Sequence, residues 1–110
     1  GVSLASQDVY LNIAGGIRPE GTSADLAAAL AVYSSCRGIP ISGKTLCLGE
    51  ISLTSDLRSV SHADKIAKEA ARMGFTRIIL PKQNADRLKQ IDGLQISGAK
   101  TLKDAILMIE

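Results

Sequence analysis

A single mixed α/β domain is what this sequence predicts, and three observations predict it. The chain has 110 residues, the size of one domain, and burying roughly 65% of its unfolded surface lets it fold without metal or disulfide staples. Segments with apolar residues at every second position alternate with segments at helical spacing. Hydrophobic residues make up 45% and charged residues 22%, as in globular rather than disordered chains. Aromatics are only 3% and Trp is absent, so the core must come from Ala, Leu, Ile and Val. The same scarcity excludes a stacking platform for single-stranded nucleic acid, which needs exposed rings.

Taken in order, Asp8 to Ala14 reads as a strand, with Val9, Leu11 and Ile13 alternating with Tyr10 and Asn12. Gly15-Gly16 breaks it, and Arg18 to Gly21 form a loop. Thr22 is placed to cap a helix, with Asp25 at the reciprocal capping-box position, and the helix should run to about Cys36 before Gly38 and Pro40. Its segment Leu26 to Tyr33 is apolar on nearly every side and belongs in the interior. Thr45 to Leu48 and Glu50 to Leu53 are short strands around Gly49, and Leu57 to Val60 returns after a Ser55-Asp56 turn as a hairpin arm. Ser61 and Asp64 are spaced to cap a second helix. Ala63, Ile66, Ala67, Ala70 and Met73 form its buried stripe, Lys65, Lys68 and Arg72 face the other way, and Gly74 ends it. Thr76 to Leu80, closed by Pro81, is a buried strand; Asn84 to Gln90 is a short helix and Leu94 to Ile96 a last strand. Thr101, with Asp104, caps a terminal helix ending near Ile109.

The longest apolar run, Leu26 to Tyr33, is too short to cross a bilayer, and no secretory signal is visible. Cys36 and Cys47 lack metal-ligand spacing and read as free thiols, a disulfide being the alternative. His62 is the sole histidine, which excludes two-histidine chemistry within the chain. No G-x-x-x-x-G-K-[ST] phosphate loop is present. Net charge is +2 but unevenly spread: residues 58 to 89 hold eight basic and three acidic side chains, the remainder five and eight. Such a one-sided field suits an anionic partner, although a merely solvated face has the same composition.

The order of motifs resembles the proteolytic domain of Lon: a strand, a Gly-Gly break, then Gly21-Thr22-Ser23-Ala24-Asp25 entering an Ala/Leu helix. Gly49-Glu50-Ile51-Ser52-Leu53 is similar to Lon's G-E-I-T-L, and the segment from Gly74-Phe75 to Pro81 and Asn84 to its G-I-K-x-V-x-x-P-x-x-N. A closer resemblance is to the Lon-like C-terminal domain of the RadA (Sms) family of bacterial DNA-repair proteins. Gly15-Gly16-Ile17, Ala24 to Ala31, Ser34-Ser35, Glu50 to Val60 and Lys68-Glu69-Ala70 carry it, and Asp25 stands where Lon has glycine. The resemblance implies a Lon proteolytic-domain-like fold over residues 1–110, forming the C-terminal part of a longer cytoplasmic protein. The chain's opening in mid-pattern without Met agrees. It further implies a hexameric ring, DNA contact, a recombinase partner, and upstream segments that bind zinc and, with magnesium, ATP.

A Ser-Lys peptidase is the alternative, with Ser23 at the position of Lon's nucleophile. Lon's lysine position is held by Asp64, and Lys65, one residue on, is turned by about 100° around the helix. A carboxylate of ordinary pKa near 3.9 is a poor base towards a serine hydroxyl. The dyad is broken, Ser23 and Asp64 are vestigial, and no catalytic residue or metal ligand is expected. The expected DNA face is Arg58, Lys65, Lys68 and Arg72, acting on phosphates without base readout. A purely structural oligomerisation module is the remaining rival.

Overall fold

Strand β4, Arg77–Pro81, is the spine of the fold, and its sequence explains why. Ile78, Ile79 and Leu80 are all fully buried, as a continuous apolar run must be when a sheet is covered on both faces. The computed structural model describes residues 24–110. The expected Asp8–Ala14 strand, the Gly15-Gly16 break, the Arg18–Gly21 loop, Thr22 and Ser23 lie outside the described residues.

On either side of β4 run β1, Thr45–Cys47, and β5, Gln95–Ala99, both parallel to it. Period-2 geometry sends Ile78 and Leu80 to one face, with Leu46 and Leu48 of the first strand region. That face is covered by α2, Ala63–Arg72, through Ala63, Ile66, Ala67 and Ala70, and by Ala85 of α3, Lys82–Arg87. Ile79 and Cys47 point the other way, into a second cluster with Leu26, Ala27 and Leu30 of α1, Asp25–Arg37, and Ala105 of α4, Leu102–Ile109. The result is a mixed α/β arrangement with helices on both faces, of the class the sequence predicts. A small antiparallel hairpin, β2 Glu50–Ile51 and β3 Leu57–Arg58, leaves the C-terminal end of the sheet. It is held there by Leu57 N–H donating to the Lys100 carbonyl at 2.8 Å and Leu102 N–H to the Ser55 carbonyl at 2.9 Å. No helix among the described residues is long and apolar enough to cross a membrane.

The terminal helix keeps its expected capping box: Asp104 N–H donates to Thr101 Oγ1 at 3.2 Å, and Thr101 N–H donates back to Asp104 Oδ2. At the first helix the expected box partner Thr22 lies outside the described residues. Helix α1 starts at Asp25 with Ala24 as N-cap, so Asp25 is the first helical residue rather than the third. Its carboxylate instead accepts the Ile51 N–H at 3.3 Å, while Leu26 N–H donates to the Gly49 carbonyl at 2.9 Å. The start of α1 is thus docked onto the Gly49-Glu50-Ile51 backbone, which does the work of a side-chain cap. At α2 the N-cap is His62 in the left-handed region (φ 63°), with no side-chain cap bond. Asp64 is therefore the second helical residue of α2.

The strands run Glu50–Ile51, Leu57–Arg58 and Gln95–Ala99 rather than Glu50–Leu53, Leu57–Val60 and Leu94–Ile96, and three helix features also differ from expectation. The first helix is buried on one side: Leu26, Ala27, Leu30 and Ala31 are inside, but Val32 is 64% exposed. Met73 follows the last helical residue of α2 and is 47% exposed, so it leaves the predicted buried stripe. Helix α3 starts two residues before the predicted Asn84 and stops at Arg87, because Leu88 turns to an extended backbone. The first helix does end as expected, at Gly38, whose left-handed φ of 66° suits a residue without a Cβ.

Both cysteines are free. Burial pushes the Cys47 thiol up to about 12, against a smaller opposing pull from Arg77. The folded chain therefore holds the thiol proton to higher pH than the unfolded one, whose thiol titrates near 9. The associated stability is complete below that pH and is lost as pH rises towards 12. Urea midpoints for the wild type should accordingly fall faster than those of Cys47→Ala between pH 9 and 12. In the native protein at neutral pH a thiol reagent should label exposed Cys36 alone, and Cys47 only in denaturant. Equal labelling of both native thiols contradicts the buried position of β1.

Candidate nucleic-acid interface

Helix α2 positions the predicted basic residues by its period. Its apolar residues 63, 66, 67 and 70 fall on one side and are buried, which turns Lys65, Lys68 and Arg72 outwards together. All three are exposed, as is Arg58. The four are not equivalent. Arg72 Nε donates to Glu69 Oε2 at 3.0 Å, and its Nη2 donates to Glu69 Oε1, a bidentate pair on the surface. Glu69's carboxyl is held below the usual carboxylate range by that hydrogen bond. Arg58 stands opposite Glu50 in the hairpin register, on β3 rather than on the α2 surface.

Beside α2 the connection from α3 to β5 is anchored inwards and charged outwards. Leu88 and Ile91 pack against the core cluster, Leu94 N–H donates to the Ile91 carbonyl at 3.1 Å, and Gly93 (φ 80°) closes the turn. Arg87 and Lys89 are exposed between and beside these anchors. The two segments enclose an open groove of about 470 Å³ lined by Asp64, Lys68, Arg87, Leu88, Lys89 and Ile91, among others. Arg87 and Lys89 are missing from the expected DNA face. Their contribution to the basic segment is visible in the sequence, but a helix running to Gln90 would have placed them by a period that the chain abandons at Leu88.

The loop leading into α2 is fixed by Asn84. Val60 N–H donates to its Oδ1 at 2.8 Å, and its Nδ2 donates to the Val60 carbonyl at 3.0 Å, as a neighbouring strand would. This explains the asparagine that follows Pro81 in the motif: it ties α3 to the start of α2. Arg77 is likewise occupied with structure, donating to Ser97 Oγ at 3.2 Å and to the Met108 carbonyl at the end of α4 at 3.0 Å.

Of the two vestigial positions, Ser23 lies outside the described residues. Asp64 is exposed on the first turn of α2, where it lines the groove. Among the described residues, no three His, Cys, Asp or Glu side chains cluster closely enough to hold a metal ion.

A family model described as subunit ChlI of Mg-chelatase matches residues 1–84. The chain is similar to the DNA repair protein RadA of Escherichia coli (strain K12), 39% identical over 110 residues, covering 100% of this chain and 24% of that protein. It is 37% identical over 106 residues to the RadA of Listeria monocytogenes, covering 96% of this chain and 23% of that protein. With the RadA of Bacillus subtilis (strain 168) the identity is 35% over 106 residues, again 96% and 23%. The chain thus spans about a quarter of the length of the curated relatives it matches, and the motif resemblance to the RadA family holds along essentially all of it.

Proposed function

Since the chain belongs to the family described as subunit ChlI of Mg-chelatase, with relatives named DNA repair protein RadA along its whole length, we propose that it is a non-proteolytic, DNA-contacting and ring-forming domain of a RadA-type repair protein. The observation that carries the DNA contact is the outward alignment of Lys65, Lys68 and Arg72 on one face of α2. Cations in a row on a rigid helix neutralise successive phosphates and release counterions, without reading bases. Asp64, exposed where Lon has its lysine, supports the absence of peptidase chemistry: a solvated carboxylate does not activate a serine hydroxyl. In this reading ATP, magnesium and zinc belong to other segments of the protein, which works in the cytoplasm with a recombinase, and the ring multiplies weak phosphate contacts.

The test is made on the intact protein. With Lys65, Lys68 and Arg72 replaced by Ala and assembly intact, the salt slope of DNA binding should fall by roughly 2.1–2.7, the value for three lost contacts at 0.7–0.9 each. Affinity should drop alike for unrelated sequences. An unchanged slope removes this face as the DNA surface and favours an oligomerisation module whose basic face is only solvated.

A further inference from the structure

The groove beside α2 gathers basic side chains from two separate elements of the fold. Arg72 is paired with Glu69 and Lys82 with Asp86. Among the described residues, Lys68, Arg87 and Lys89 make no ion pair, although they line one groove from two separate elements. Three like charges lining one groove with a single acid, Asp64, among them carry an excess of positive charge, and an anion seated between them relieves their repulsion. The groove floor carries half-buried Leu88 and Ile91, an apolar strip against which a sugar ring packs while its phosphates meet the rim.

We propose that Lys68, Arg87 and Lys89 form a backbone-phosphate seat for nucleic acid, so that the bound strand runs from α2 towards the α3–β5 connection and away from Arg58. This rests on the DNA-contacting reading above and deepens it by assigning Arg87 and Lys89 and excluding Arg58. The exclusion has its own reason: Glu50 faces Arg58 across the hairpin and sets a carboxylate beside any phosphate arriving there. The one acid in the groove is Asp64. It repels a seated phosphate, so its removal acts in the direction opposite to loss of the cations.

Fluorescence anisotropy of labelled single- and double-stranded DNA on the intact protein, titrated over salt, tests this. Arg87→Gln with Lys89→Gln should lower the slope by roughly 1.4–1.8, the value for two lost contacts. Arg58→Gln should leave it unchanged, and Asp64→Asn should tighten binding at fixed salt. These side chains are exposed, so urea midpoints should stay at the wild-type value and separate lost binding from lost folding. An unchanged slope in the Arg87/Lys89 variant overturns the seat; if the α2 triple variant still lowers the slope, the DNA-contacting reading survives without it. If neither variant moves the slope, both fall. Weaker or unchanged binding by Asp64→Asn, or a drop in slope with Arg58→Gln alone, also contradicts the proposed path. Displacement of DNA by millimolar inorganic phosphate at constant ionic strength, with DNA itself showing no salt slope, identifies a small-anion site and overturns the strand assignment.

Discussion

Replacing Leu30 with Ala should cost about 2–5 kcal/mol, the range for removing a large aliphatic side chain from a packed core. Leu30 is fully buried between α1 and the sheet, in the cluster that includes Leu26, Cys47, Leu57, Ile79, Ala99 and Ala105. These cluster residues belong to six different elements, so no single side-chain rotation closes the cavity left behind. Val32→Ala, two residues along the same helix, is the internal control. Val32 is 64% exposed, and its change should stay within about 0.5 kcal/mol. Urea unfolding of the two variants decides the matter, and similar midpoints would refute the one-sided burial of α1.

Gly98→Ala should destabilise by about 1–3 kcal/mol through overpacking. A Cβ at Gly98 would come within 2.9 Å of the Ala85 Cβ and 3.1 Å of the Lys82 Cα. Neither atom is the end of a flexible side chain, so α3 must lift from β5 to admit the methyl group. Removing the opposing methyl tests the cause. In the double variant with Ala85→Gly the loss should be smaller than the sum of the two single losses, even though glycine inside a helix costs about 1 kcal/mol. The displacement also reaches the proposed seat, because α3 ends at Arg87. Weakened DNA binding by Gly98→Ala should therefore recover in part with Ala85→Gly.

How far these features are legible in the sequence differs with the kind of signal. The buried stripe of α2 and the outward set of Lys65, Lys68 and Arg72 follow from a strong helical period. The capping box at Thr101 and Asp104 is local chemistry and forms as spaced. Asp25 has the same spacing behind Thr22, yet it stands first in α1. The Leu26 amide at the start of α1 donates to the Gly49 carbonyl and the Asp25 carboxylate accepts the Ile51 N–H, contacts more than twenty residues away, and the N-cap of α2 is His62 rather than Ser61. Asn84 was visible as a motif position. Its bonds to Val60 were not, because they join segments separated by an entire helix.

By itself the sequence determined the fold class, the order of elements from α1 to α4, the two-sided burial of β4, and the family resemblance. Each of these depends on periods and motifs carried within short stretches of chain. Only the tertiary structure decided which side of the nearly all-apolar first helix is inside, because a helix without a polar face has no moment to aim it. It alone released Met73 from the core, paired Arg72 with Glu69, and set Arg58 against Glu50. It also brought Arg87 and Lys89 to Lys68 across about twenty residues of sequence. Charge counts along a chain measure how many cations are present; whether they are neutralised or left facing one another is fixed by long-range packing.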